Sequence, residues 1–94
     1  GTLRLMTEKG VRVKFFGPWQ RAAGAEVLFL PLEEPVKVSS LVERLAGVYG
    51  EGFPAREEGL ICLFDEEGGP KALGGDEEVP PGSTVLFLGL IESG

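Results

Sequence analysis

Apolar and polar residues alternate in the segment VRVKFFG, near the start of the chain. Successive side chains of a β-strand point to opposite faces, so Val11, Val13 and Phe15 would share one face and enter the core. Arg12 and Lys14 would point the other way, into solvent. This period of two predicts a half-buried strand.

Three further apolar segments predict strands, at residues 27–32, 60–64 and 85–91. Pro31 and Pro35 end the first of them. The last segment, VLFLGLI, is apolar at successive positions instead of alternating, which is typical of a central strand in parallel pairing. We therefore expect it to be inserted beside the first strand, with a helix covering one face of the sheet. Its other face would stay apolar and uncovered, which indicates a surface for a partner.

The segment SSLVERLAGVYG has the pattern of a single helix. Ser40 and Glu43 have the S-x-x-E spacing of a capping box, which satisfies two backbone donors at a helix start. One apolar stripe follows, formed by Leu41, Val42, Leu45, Val48 and Tyr49. Gly50 supplies a left-handed stop. A helix of about ten residues is marginal alone in water, so it must pack on the sheet.

The remaining segments are predicted to be loops or short elements. Residues 1–10 form an N-terminal extension or an extra strand, and residues 11–94 form the domain proper. The segment GPWQRAAGAE is punctuated by Gly and Pro, so we expect a loop without a helix of any length. The acidic, Gly-rich segment DEEGGPKALGGDEEVPPG has room for a short strand or a single turn, with a tight turn at Pro81 and Gly82.

One main helix between two groups of strands predicts an α+β roll. The expected sheet is mixed, has four to five strands, and carries the main helix on one face. The chain of 94 residues is long enough for one such core and too short for two.

Composition excludes several classes of function. Histidine is absent, which removes imidazole bases and zinc sites of the Cys/His kind. The net charge of −6 repels phosphate backbones, so nucleic acid is a poor partner. No apolar segment approaches the roughly 20 residues that span a bilayer. The acidic segment lacks the alternating ligands of a calcium loop, and no glycine motif of a nucleotide site is present. We therefore expect no bound metal, no bound cofactor and no membrane partner.

A few single residues carry further expectations. Cys62 is most simply a small buried residue on a strand, and one unpaired cysteine fits a reducing compartment. Trp19 is expected to cover a hydrophobic edge, and Arg21 to lie on a solvated face. Asparagine is absent and Gln, Cys and Met occur once each, a depletion of thermolabile side chains that is typical of thermophiles.

The order of these segments resembles the β-grasp, ubiquitin-like sulfur-carrier proteins. The resemblance is carried by VRVKFFG, RAAG, VLFLPL, VSSLVERLAGVYG and the close PPGSTVLFLGLIESG. Within that family the sequence is most similar to the small subunit of molybdopterin synthase and to the ubiquitin-related modifiers. The resemblance covers residues 11–94 and implies a ubiquitin-like β-grasp fold.

The resemblance also implies a carrier protein that is not itself an enzyme. In the family, an E1-like enzyme uses ATP to adenylate the carboxylate of the C-terminal glycine, and sulfur then replaces an oxygen to give a thiocarboxylate. Gly94 holds that position here, with Glu92 and Ser93 before it in the tail. The implied partners are the E1-like enzyme and the large subunit of molybdopterin synthase, or another sulfur acceptor, in the cytoplasm.

The strand before the tail is expected to dock on these partners through Phe87, Leu88, Leu90 and Ile91. The family ends in Gly-Gly, whereas the penultimate residue here is Ser93. The Cβ and hydroxyl of Ser93 need more room in an active-site channel than a glycine would. This departure weakens the prediction of a role in protein conjugation more than that of a role as a carrier. Two alternatives stay open: a ubiquitin-like modifier that forms isopeptide bonds, and a β-grasp interaction module that never reacts through its tail.

Overall fold

The structure of this protein is a computed structural model that describes residues 9–65 and 67–89. Within those residues, helices and strands follow one another along the chain. In order they are β1 (Gly10–Phe15), α1 (Pro18–Ala23), β2 (Val27–Pro31), β3 (Val36–Lys37), α2 (Val38–Tyr49), β4 (Gly59–Asp65), β5 (Gly69–Ala72), β6 (Glu78–Val79) and β7 (Thr84–Gly89). A 3-10 turn at Arg56–Glu58 leads into β4.

Five of the strands form one mixed sheet in the order β2-β1-β7-β4-β5. β7 pairs in parallel with β1 and antiparallel with β4, so the last described strand is inserted at the centre, as its continuous apolar sequence predicts. β3 and β6 form a separate two-residue ladder. The α+β architecture, with a mixed five-stranded sheet and one main helix, is confirmed.

The core lies between this sheet and α2. Val13 pairs with Val85 and Phe15 with Phe87 across the β1–β7 ladder, and all four side chains are buried. From the helix, Leu41 and Leu45 join the same buried cluster. Arg12 and Lys14 are exposed on the opposite face, so the alternation predicted for the first strand is confirmed.

The start of α2 differs from the prediction. The helix begins at Val38 with Lys37 as its N-cap, and no side chain caps it, so the expected capping box of Ser40 and Glu43 is wrong. The backbone N–H of Val38 donates to the carbonyl of Glu77 at 2.9 Å, and that of Ser39 donates to Gly75 at 3.1 Å. Because the loop before β6 accepts these donors, the helix can start three residues earlier, with Lys37 in place of Ser40 as its N-cap, without a capping side chain.

The apolar stripe of α2 is confirmed except at one position. Leu41, Val42 and Leu45 are buried and Tyr49 packs against the core, but Val48 is 61% exposed. The buried arc also includes Val38 and is centred away from Val48, which lies at its border near the helix end. Gly50 then ends the helix with φ of 83° and donates its N–H to the carbonyl of Ala46, as the predicted stop requires.

The segment GPWQRAAG forms a short helix, α1, where the sequence predicted only a loop. Pro18 occupies its first turn, where the missing N–H costs nothing, and Gly24 ends it at φ 70° in the left-handed region. The Gly and Pro residues therefore bound a helix instead of preventing one. Trp19 within it is fully buried, not a cover over an edge as expected.

The acidic, Gly-rich segment contains β5 and β6, which agrees with the prediction that it can hold a short strand. The predicted turn at Pro81 and Gly82 is present, with Gly82 at φ 93°. Residues 1–8, which carry the expected extension or extra strand, lie outside the described residues, while Gly10 is already the first residue of β1. No described helix is long and apolar enough to cross a membrane.

Replacing Phe87 by Ala should lower the free energy of unfolding by about 3–5 kcal/mol, because it leaves a cavity in a ring-lined core. The matched control is Val48→Ala, an exposed site expected to change stability by less than about 0.5 kcal/mol. Urea unfolding at equilibrium measures both variants. A cost below about 1 kcal/mol for Phe87→Ala would contradict the central position of β7.

Candidate functional site

The residues that the sequence singled out fall into two groups. Most lie outside the described residues, namely Leu90, Ile91, Glu92, Ser93 and Gly94. Phe87 is described and is fully buried, so its expected role as a partner-binding residue is wrong. Its cross-strand partners Phe15 and Ile61 share its face and point toward α2. Leu88, the next residue along β7, is half-buried on the opposite face.

The end of β7 is held by a hydrogen bond from α1. The indole Nε1–H of Trp19 donates to the backbone carbonyl of Leu88 at 3.2 Å. The ring also packs edge-on against Phe87, with centroids 4.9 Å apart. In addition, the N–H of Phe16, the residue after β1, donates to the carbonyl of Phe87 at 2.9 Å. The backbone of β7 is therefore held up to its last residues by hydrogen bonds from two sides, from the end of β1 and from α1.

Two glycines make this close approach of α1 possible. Gly59 and Gly89 are directly paired across the β4–β7 ladder. A Cβ on Gly59 would collide with the carbonyl of Leu88 and lie 2.5 Å from Nε1 of Trp19, and a Cβ on Gly89 would lie 2.7 Å from Cδ of Pro18. We call Pro18, Trp19, Gly59 and Gly89 the α1 clamp.

A cluster of aromatic rings supports the α1 clamp from the core side. Trp19 contacts Phe53 at 5.4 Å and Phe87 at 4.9 Å between centroids, both edge-on. Phe15 contacts Phe53, Phe87 and Tyr49 edge-on, at 6.1, 5.6 and 5.9 Å. Tyr49 stacks on Phe53 at 5.5 Å. Such pairs favour defined ring geometries, so the cluster joins both helices and β7 into one packed unit.

The second feature is the sheet face opposite α2, which we call the open face. Cross-strand partners share a face, and the pairs Leu60 with Leu88, Cys62 with Leu86 and Arg12 with Phe29 place these residues on it together. The large apolar side chains of the open face are Val27, Phe29, Leu60, Phe64, Leu86 and Leu88.

The open face is apolar to a degree that is unusual for a surface. Val27, Phe29, Leu60 and Phe64 are each between 42% and 49% exposed, and Phe16, directly after β1, is 43% exposed. Single exposed apolar residues are ordinary, whereas several large ones on the same face of a sheet are typical of interaction sites. The uncovered apolar face that the sequence predicted is thus present in the described part of the sheet.

Arg12 and Lys14 are the only charged residues on the open face among the described residues of the sheet. Both are exposed on β1, as the sequence predicted for a solvated face. In the register, Arg12 stands between Phe29 and Thr84, and Lys14 stands next to Leu86. The cross-strand neighbours of both cations are therefore uncharged, and most of them are apolar.

Cys62 lies on the open face and is nevertheless buried, as predicted for a small apolar residue on a strand. Its cross-strand partners are Leu86 on β7 and Ala72 on β5. Burial raises the pKa of the Cys62 thiol above its ordinary value of 9.0, because the thiolate loses hydration. Within residues 9–65 and 67–89, no group of His, Cys, Asp or Glu side chains could hold a metal ion.

The α1 clamp and the exposed apolar side chains on β2 and β4 were missed by the sequence reasoning. Gly89 inside the apolar segment VLFLGLI was an available signal, because a glycine within a strand often marks a close backbone approach. The partners of that approach, Trp19 and Gly59, are distant in sequence, and no local pattern links them. Phe29 and Leu60 could be assigned to a face only once the strand order was known.

No family model matches this sequence, and the curated proteins contain no match to it. Among solved structures, the fold is similar to SAMP1 from Haloferax volcanii, with a TM-score of 0.68 and 13% sequence identity. The similarity covers 90% of this chain and 99% of that one. SAMP1 is a ubiquitin-like small archaeal modifier protein. The chain therefore has the ubiquitin-like β-grasp fold that the sequence predicted.

Replacing Gly59 by Ala should open the α1 clamp. The new methyl group collides with the Leu88 carbonyl and the Trp19 indole, so we expect a loss of about 2 kcal/mol in unfolding free energy from overpacking. Trp19 is the only tryptophan, and its fluorescence should shift to longer wavelength as the indole is displaced. The matched control is Gly47→Ala on α2, where the added Cβ meets no atom within 4 Å.

Gly47→Ala should raise stability by about 0.5–1 kcal/mol, because Ala loses less conformational entropy in a helix. Its fluorescence should match the wild type. An unchanged emission spectrum together with unchanged stability for Gly59→Ala would show that the indole does not lie against this glycine.

The raised pKa of Cys62 predicts a loss of stability at high pH. The folded state holds the thiol proton more tightly than the unfolded state, so the contribution is fully present below pH 9.0 and is lost as the pH rises through the raised value. Urea unfolding at a series of pH values, for wild type and for Cys62→Ala, isolates this effect from other groups. The difference in unfolding free energy between the two proteins should narrow or reverse above pH 9.0, and a constant difference would contradict the shift.

Proposed function

We propose that this chain is a ubiquitin-like sulfur-carrier protein whose Gly94 carboxylate is activated by an E1-like enzyme with ATP. More specifically, we propose the small subunit of molybdopterin synthase, acting in the cytoplasm in molybdenum cofactor biosynthesis. In this role the chain is a co-substrate and not an enzyme. The observation that carries the proposal is the α1 clamp, which fixes the end of β7 five residues before Gly94.

The chemistry takes place at the carbonyl carbon of Gly94. A carboxylate oxygen attacks the α-phosphorus of ATP and pyrophosphate leaves, which gives an acyl adenylate. A sulfur nucleophile then attacks the carbonyl carbon, and AMP leaves with the oxygen, so that a C–S bond replaces a C–O bond. Glycine suits this position because, without a Cβ, it leaves the carbonyl open to attack. The catalytic groups belong to the enzyme that binds the tail.

Binding of such a tail by an enzyme is easier when the strand before the tail is already rigid. Each residue that must be ordered on binding costs conformational entropy. The hydrogen bond from Trp19 to Leu88 and the packing of Pro18 over Gly89 already fix the backbone where the tail begins. Fixing this part of the backbone in advance lowers the entropy cost of binding at the enzyme. Leu60 and Leu88 of the open face lie beside this root and provide a surface on which the enzyme can dock.

A ubiquitin-like protein modifier is the second candidate, favoured by the similarity of the fold to SAMP1, a modifier protein. The two candidates share activation of Gly94 by an E1-like enzyme. They differ in the nucleophile that receives the acyl group, which is sulfur for the carrier and a lysine amine for the modifier. Ser93, where the family has glycine, is expected to hinder conjugation more than sulfur transfer.

The test is the intact mass of the chain after incubation with the E1-like enzyme of its source organism, ATP and a sulfur donor. The carrier function predicts exchange of one oxygen for sulfur, located at Gly94 by fragmentation. The modifier function instead predicts a linkage between Gly94 and lysine in cellular proteins.

Two variants serve as controls for this experiment. Deletion of Gly94 should abolish the exchange and leave the unfolding free energy nearly unchanged, because a terminal residue contributes few contacts. Ser93→Gly should increase the exchange rate if the serine Cβ narrows the fit. Absence of exchange and of lysine linkage, even in Ser93→Gly, would refute activation at Gly94. It would favour an interaction module that acts through the open face alone.

A further inference from the structure

We infer that β2 pairs in antiparallel orientation with β2 of a second copy of this chain, so that two sheets join into one. β2 lies at one edge of the five-stranded sheet, and among the described strands it pairs with β1 alone. The proposed function uses the tail and the open face beside β7, and it leaves this edge without a role. The inference goes beyond that function and does not depend on it.

The outer side of β2 presents backbone groups that can bond to a further strand. The N–H of Phe15 donates to the carbonyl of Glu26 at 2.9 Å. Along an antiparallel pair, residues that bond to the neighbouring strand alternate with residues that do not. Val27 and Phe29 therefore direct their N–H and carbonyl groups away from β1, and Pro31 directs a carbonyl. This edge offers both donors and acceptors, as a strand of another chain requires.

The two edges of the sheet differ in their protection against such pairing. Exposed edge strands commonly carry Lys or Pro residues that prevent another chain from adding to them. β5, at the opposite edge, has Pro70 and Lys71 among its four residues. β2 has the sequence VLFLP, which carries no charge and has a proline only at its end. Val27 and Phe29 are nevertheless 49% and 42% exposed. An unprotected apolar edge at one side only indicates that a strand covers that side.

The sequence of β2 is self-complementary, which assigns the edge to a second copy of this chain. A two-fold axis through Phe29 sets this residue opposite its own copy. The same register sets Leu28 opposite Leu30 of the second copy. Val27 then stands opposite Pro31, so that all residues of β2 have a cross-strand partner and every pair is apolar. Leu28 and Leu30 are half-buried, and this pairing covers the part of them that the core leaves exposed.

The same register satisfies the outward backbone groups. Phe29 and its copy each donate an N–H to the carbonyl of the other. The N–H of Val27 donates to the carbonyl of Pro31, and the two-fold axis repeats this bond in the second copy. Because Pro31 has no N–H, the carbonyl of Val27 is the one outward acceptor that stays without a donor. It lies at the end of the paired segment, where water can reach it.

The charged residues beside β2 agree with antiparallel pairing. Continuing the register sets Glu26 opposite Leu32 and Glu33 opposite Ala25. No carboxylate between residues 24 and 34 then stands opposite another, an arrangement that would be destabilising. Parallel pairing with the two strands aligned residue by residue would set each Glu26 against its own copy. The sequence around the strand therefore favours the two-fold, antiparallel arrangement.

A dimer of this kind closes and leaves both tails accessible. The strands β1 and β2 separate β7 from the edge, so the two β7 strands would lie five strand spacings apart, at roughly 24 Å. The two-fold axis makes them run in opposite directions, and their ends lie at opposite sides of the joined sheet. The edges that remain are the two β5 strands with Pro70 and Lys71. Assembly therefore stops at the dimer.

The first test is sedimentation equilibrium of the full chain. Protein concentrations run from about 0.02 mM to about 1 mM, because an interface of one strand pair is small and association through it is weak. The dimer fraction should rise with concentration. It should also be larger at an ionic strength of about 0.3 M than at about 0.05 M, since salt screens the repulsion between two copies of net charge −6.

Two outcomes of sedimentation would overturn the inference. A chain that stays monomeric at about 1 mM would leave the edge to a strand of a different protein. A dimer that added salt dissociates would depend on ion pairs, and the pairing of β2 with its copy contains none.

A matched pair of variants locates the interface. Phe29→Lys places two like charges opposite each other on the two-fold axis and should weaken association about tenfold or more. Leu60→Lys on β4 is the control, because Leu60 is similarly exposed, lies away from β2 and gives the same change of net charge from −6 to −5. It should associate at least as strongly as the wild type. Urea unfolding checks that both variants fold, and equal weakening by both would overturn the inference.

Cysteine pairs test the register, in a Cys62→Ala background that removes the native thiol. Residues opposite each other in a hydrogen-bonded antiparallel pair have Cα atoms about 5.5 Å apart, within the range of a disulfide. Phe29→Cys should therefore form a covalent dimer in the presence of oxygen. Val27→Cys is the control, since the two copies of this residue would lie roughly 14 Å apart. We expect Phe29→Cys to cross-link about tenfold faster or more. Cross-linking at equal rates, or of Val27→Cys alone, would overturn the proposed pairing.

Discussion

β7 lies between β1, with which it pairs in parallel, and β4, with which it pairs antiparallel, and this central position sets the surroundings of its side chains. Val85 and Phe87 enter the core under α2, while Leu86 and Leu88 lie on the open face. An ordinary half-exposed strand would alternate apolar and polar residues. The continuous apolar sequence of β7 is therefore explained by the two surfaces it belongs to, one inside the molecule and one available to a partner.

The same position brings the end of β7 under α1. The chain leaves β1 at Phe16, turns at Gly17 and forms α1 directly above the last residues of its parallel neighbour. Because β1 and β7 run in parallel, both strands end at the same edge of the sheet. The helix that directly follows β1 can therefore pack on the end of β7. α1 can approach β4 and β7 this closely only because Gly59 and Gly89 have no side chains. Trp19 fills the space that they leave and binds the Leu88 carbonyl.

The sequence was sufficient to predict those strands whose pattern lies within one short segment. The alternation of Val11, Val13 and Phe15 predicted β1, and the uninterrupted apolar residues of β7 predicted its central place. Local patterns were insufficient where a distant segment supplies the missing interaction. The start of α2 is set by carbonyls of Glu77 and Gly75, not by a capping side chain. No neighbouring residue could reveal this.

Assignment of single residues to surfaces failed for the same reason. Phe87 and Leu88 are adjacent in an apolar segment, and their composition gives no indication which of them faces the core. The pairing of Phe87 with Phe15 and Ile61 settles this, and it requires the strand order. The fold class, in contrast, needs only the sequence of element types, so it could be predicted before any register was known.

Leu88 joins the two features on which the proposed function depends. Its side chain belongs to the open face, opposite Leu60, and its carbonyl accepts the hydrogen bond from Trp19. A partner that packs on this side chain therefore contacts the residue whose backbone position sets the root of the tail. The aromatic cluster beneath Trp19 holds this position from the core side, because its rings pack against Phe53 and Phe87. In the proposed function, docking and delivery of the tail would therefore both depend on this one strand end.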